Sequence, residues 1–180
     1  MFEGNPIVVQ GFEIPSDSPL FLTILSIHIL AGLICVVAGV VAMLAKKQRG
    51  RHSKSGSIYY WSLWVVFITA SIIAVARWKE DYHLFVLGLV SFISAFIGRK
   101  ALIEKWQKWS VIHITGMGIS YIFLLIAFYV DNGRFLPIWR DLPPFIYWCL
   151  PLLIGIPLLI KTLVRNPLSK DYFQPKYSQW

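Results

Sequence analysis

Five apolar stretches dominate the chain, running from Leu20 to Ala45, Ile58 to Ala76, Leu84 to Gly98, Val111 to Val130 and Phe145 to Ile160. A hydrocarbon layer about 30 Å thick is crossed by about 20 helical residues, and each stretch reaches or approaches that length. A backbone surrounded by lipid must satisfy its own polar groups, which within a single segment only the α-helix does. The pattern therefore predicts an all-α integral membrane bundle of five transmembrane helices. It divides the chain into an extracytoplasmic arm over 1–19, a transmembrane domain over 20–165 and a cytoplasmic tail over 166–180. With 180 residues, 57% of them hydrophobic, no room is left for a separate soluble domain.

The charges orient the bundle. Thirteen of the seventeen Lys and Arg residues fall after the first, third and fifth stretches, and only Arg77, Lys79, Arg134 and Arg140 fall on the other side. Basic connections are retained in the cytoplasm, which predicts the N-terminus outside and the C-terminus inside. The net charge of +8 sits in these connections rather than along one helix, so no nucleic-acid partner is expected. The first 19 residues carry no Lys or Arg and lack the basic start of a cleavable signal peptide. Cys35 and Cys149 lie within apolar stretches, where a thiol behaves as a small apolar group, and no disulfide is expected.

Small residues mark possible helix contacts. His28, Gly32, Cys35, Gly39 and Ala42 recur at spacings of four and three on one face of the first span. Gly88, Ser91, Ala95 and Gly98 make a similar face on the third, with His83 pointing elsewhere. Such faces admit another backbone, a second membrane protein or a flat ligand. The third span is short between His83 and Arg99, so thinning of the bilayer or snorkelling of Arg99 and Lys100 is expected. The fifth contains Pro151 and Pro157 and is expected to kink or break.

Polar chemistry inside the spans rests on histidine. His28 lies below the outer surface, His113 about one turn above the inner one, and His83 and His52 at outer and inner boundaries. His28 with His83, and His52 with His113, are the feasible pairs for two b-type haems, since haem iron takes axial imidazoles. A single haem or a quinone is the simpler form of the same reading. An alternative uses Glu80 and His83, three residues apart, with His28 as a zinc site for a membrane hydrolase. A third is a non-enzymatic assembly subunit whose small-residue faces pack against a membrane partner. The sequence contains no P-loop, GxSxG, CxxC or HExxH motif, which removes support for nucleotide hydrolysis, serine hydrolysis, thiol redox and gluzincin proteolysis.

His28 with Gly32, followed by Arg51-His52-Ser53-Lys54-Ser55-Gly56-Ser57-Ile58-Tyr59, resembles the pattern of small bacterial polytopic inner-membrane proteins grouped as a domain family of unknown function. The resemblance covers His28 to about His113. It implies a multi-pass protein of a bacterial inner membrane and assigns no activity. In general plan the histidine-bearing helices also resemble cytochrome b561-like proteins, from which this chain departs by placing His52 in a basic loop.

Overall fold

The structure is a computed structural model that describes residues 5–9, 12–47 and 50–166. Most of the predicted tail, with Lys170 and Lys176, lies outside the described residues, as does Arg49. The order of elements is β1 (Ile7–Val9), β2 (Phe12–Ile14), α1 (Pro19–Leu44), α2 (Arg51–Ala76), α3 (Trp78–Glu104), α4 (Trp109–Asn132), a 3-10 turn (Gly133–Phe135) and α5 (Phe145–Arg165). Among the described residues, five helices are long and apolar enough to cross a membrane. The protein is thus a multi-pass membrane protein, helical apart from the short hairpin. The chain divides into two compact units, 1–86 and 87–180, with the division inside α3.

The first unit begins with an antiparallel β1–β2 hairpin, which the expectation of an all-α chain omitted. Reciprocal bonds close it. The Asn5 amide donates to the Asp17 carboxylate at 2.9 Å, and the Asp17 amide donates to the Asn5 carbonyl at 3.0 Å. Pro19 then starts α1, where a missing N–H costs nothing because the first-turn amides have no helical partner.

Helices α1 and α2 run antiparallel, joined by a turn whose last residue, Gly50, has φ +123°. That backbone region is open to glycine and strained for other residues. The buried row of α1 is Phe21, Ala31, Cys35, Ala38 and Gly39, and that of α2 is Tyr59, Tyr60, Leu63, Val66, Thr69 and Ala74. Both rows follow the three-and-four spacing of one helix face. Over their middle stretch the contact sets Ala31, Cys35, Ala38 and Gly39 of α1 against the larger Tyr59, Tyr60, Leu63 and Val66 of α2. The predicted row on α1 is corrected in one respect, since Ala31 and Ala38 carry the packing and Gly32 lies on its flank. The Cys35 thiol lies 3.5 Å from the Tyr59 carbonyl, and Cys35 and Cys149 are both free thiols.

Helix α3 is longer than the apolar stretch that announced it. It spans 27 residues and takes in His83, Arg99 and Lys100, so the expected snorkelling of Arg99 and Lys100 would start from positions on the helix itself. Glu80 and Asp81 occupy its first turn, where carboxylates complement the positive end of the helix dipole. Asp81 also pairs with Arg77 at 3.8 Å.

In the second unit α3 buries Leu87, Ser91, Ala95, Gly98 and Ala101, so Leu87 replaces Gly88 in the predicted face. Helix α4 crosses it where two glycines meet. A Cβ on Gly116 would lie 2.6 Å from the Ser94 carbonyl oxygen and 2.8 Å from the Gly98 Cα, so only glycine permits this approach. The Ser91 hydroxyl donates to the Ser120 carbonyl at 2.8 Å one helical turn away. Leu87, Ile122 and Ile126 form the core beside this crossing. Helix α5 runs from Phe145 to Arg165 without a break, with Pro151 and Pro157 inside it, so of the expected kink or break the break does not occur. Pro151 is buried against protein, which is the setting in which a missing helical bond is tolerated.

Candidate functional site

The histidines were the sequence-based candidates, and three of the four act first as clasps between segments. His28 lies on α1, and its Nδ1 is 2.9 Å from the Thr69 hydroxyl oxygen of α2. Thr69 has a single proton, and the Val65 and Val66 carbonyls lie 2.7 and 3.1 Å from its oxygen. With that proton assigned to the closer carbonyl the hydroxyl accepts from the imidazole, an assignment that places the ring proton on Nδ1 and a lone pair on Nε2. A histidine that ligates a metal usually donates its second ring nitrogen to a neighbour in this way, which fixes tautomer and ring orientation.

The flank of α1 beside His28 is open. Gly32 is one turn further along the same side of α1, and no described heavy atom lies within 4 Å of the place its Cβ would occupy. A glycine in open space contributes nothing to packing, and it leaves the backbone open to close approach. Ile29 and Leu33, each more than 60% exposed, are apolar residues near Gly32 around the helix.

His52 belongs to the first turn of α2 rather than to a loop. Its Nδ1 donates to the Ala42 carbonyl at 2.8 Å, and Lys47 donates to the same carbonyl at 2.9 Å and to that of Met43 at 2.6 Å. These are the terminal carbonyls of α1, which have no partner within the helix and attract cationic donors. His113 on α4 donates through Nδ1 to the Gly98 carbonyl at 3.0 Å, at the glycine crossing. A carbonyl only accepts, so the tautomer of both rings follows from their partners.

His83 is half-buried on α3, four residues before Leu87 and so in line with the buried row of that helix. Its ring meets that of Tyr82 edge-on with centroids 5.7 Å apart. Among the described residues no three His, Cys, Asp or Glu side chains are grouped to hold a metal ion, so His28, Glu80 and His83 do not assemble as one site. Glu80 is exposed in the first turn of α3.

Thr69 is the residue that sequence reasoning missed as a partner. The signal was present in the hairpin arithmetic: His28 is 16 residues before the end of α1 and Thr69 is 18 after the start of α2. In an antiparallel pair joined by a short turn, such positions meet. Comparison with protein-family models, with curated proteins and with solved structures finds no match.

Proposed function

We propose that this protein binds haem b within the bilayer through the Nε2 of His28, on the flank of α1 marked by Gly32. The observation that supports this reading is the hydrogen bond from the Nδ1 of His28 to Thr69, which orients the ring and leaves Nε2 as the donor to iron. Haem would supply one-electron exchange, and the protein would set its potential through the axial imidazole, the Thr69 bond and the apolar shell. A quinone fits the same place less well. Its carbonyl oxygens need a hydrogen-bond donor, and the ring proton of His28 is already given to Thr69. The distribution of Lys and Arg supports the N-terminus outside and the C-terminus inside.

Purified full-length protein titrated with haemin tests the proposal by its absorption spectrum. A Soret band that is lost in His28→Ala is the expected result. A preparation that stays colourless, or a band that survives His28→Ala unchanged, refutes it, and a colourless protein that purifies with a constant membrane partner points to the assembly role instead. His83→Ala reads the sixth ligand: a change from low-spin to high-spin iron assigns His83 to it, and an unchanged spectrum assigns a different group.

A further inference from the structure

A cleft of about 380 Å³ opens where the end of α1 meets the start of α2, lined by Val41, Gly50, Arg51, Lys54 and Ser55. We propose that it binds the headgroup of an anionic phospholipid, with Arg51 and Lys54 holding the phosphate. This is independent of any haem at His28, which lies further along α1.

Three observations select this occupant. The first is charge. The first turn of α2 contains no acidic residue, and the ion pairs among the described residues, Arg77–Asp81, Lys100–Glu104 and Arg140–Asp141, all lie elsewhere. Arg51 and Lys54 are exposed and one turn apart, so both cations face an anion on this rim together. The second is that the nearest negative end has been covered. The Ala42 and Met43 carbonyls of α1 are taken by Lys47 and His52, which reduces their repulsion of an incoming phosphate.

The third observation separates a lipid from a soluble anion. Val41 forms an apolar wall of the cleft, and Leu44, Ile58 and Trp61 beside it are 83%, 50% and 61% exposed. Exposed apolar side chains in a membrane protein face acyl chains, and tryptophan marks the headgroup level. A ligand with an anionic head and apolar tails meets both parts of this surface. Clusters of Lys and Arg beside a transmembrane helix recognise anionic lipids at about 1 kcal/mol per charge, which is about fivefold in affinity.

The test uses full-length protein in phosphatidylcholine nanodiscs containing a minor fraction of phosphatidylglycerol, with retained lipid read by native mass spectrometry. Phosphatidylglycerol is expected to be retained in preference to phosphatidylcholine. Arg51→Gln and Lys54→Gln are each expected to weaken retention about fivefold, and together about thirtyfold. Ser55→Trp, which fills the cleft and leaves its charges intact, is expected to weaken it as well. Lys105→Gln with Lys108→Gln removes two charges from the turn between α3 and α4 and is expected to leave retention unchanged. An equal loss in that control overturns the proposal in favour of a diffuse cationic surface. Displacement of the lipid by inorganic phosphate alone overturns it in favour of a soluble anion.

Discussion

The α1–α2 pair and the α3–α4 crossing use one device in two settings. In each an imidazole Nδ1 reaches from one helix to an oxygen on the next, from His28 to Thr69 and from His113 to Gly98. Beside His113 the backbones meet at Gly98 and Gly116, and the space is filled. Beside His28 the neighbouring glycine faces open space. An interhelical hydrogen bond therefore does not identify a functional histidine; the two sites differ in the glycine beside each, one packed against backbone and one in open space. The same reasoning separates the glycines, one pair being required for packing and the other position being unnecessary to it.

The largest expected contrast is in colour. His28→Ala should abolish the Soret band of haemin-titrated protein, whereas His113→Ala should retain it at full amplitude. Loss of colour in both variants would remove the distinction drawn here. Next in size is the response to added volume. Gly116→Leu forces atoms into the Ser94 and Gly98 backbone and should destabilise the protein by about 1–3 kcal/mol or more, read as a lower thermal midpoint. Gly32→Leu should leave that midpoint in place and block the haem band. Equal thermal losses would show that Gly32 is buried by a contact in the membrane.

A smaller effect is expected at Thr69. Thr69→Val keeps the shape and removes the acceptor, so the proton on Nδ1 of His28 loses its partner at a cost of about 1 kcal/mol. The haem band should remain, with a reduction potential raised above that of the wild type because the imidazole becomes a weaker donor. An unchanged potential would assign Thr69 to packing alone. Smallest is Ser91→Ala, which deletes a bond to the Ser120 carbonyl in the filled crossing. Interhelical bonds of this kind average about 0.6 kcal/mol in a membrane, and denaturation in mixed micelles should report a loss of that order with no spectral change.

How far these regions were legible in the sequence follows from what each kind of signal records. Hydropathy located all five helices, because the length of apolar sequence is what a bilayer demands. It misplaced the ends of α2 and α3, where Arg51, Lys54, Arg99 and Lys100 lie on the helices themselves. Charged groups ended the apolar pattern without ending the backbone hydrogen bonding, since long side chains carry their charge to the interface. The small-residue rows were legible as faces, but their partners were not. Spacing along one helix says which residues share a side and nothing about which side has a neighbour, so Gly32 was grouped with Cys35 and Gly39. The same limit applies to Glu80 and His83, whose separation along α3 says nothing of whether His28 lies opposite them, and among the described residues no such trio is grouped.

The turn between α1 and α2 is six residues long, and the bonds that hold this pair together lie within residues 28 to 69. During synthesis the two spans can therefore enter the lipid as a finished hairpin before α4 and α5 have been translated. Ribosome-bound chains stopped beyond Val86 would already contain the whole first unit, which makes this segment the natural starting point for assembly of the rest.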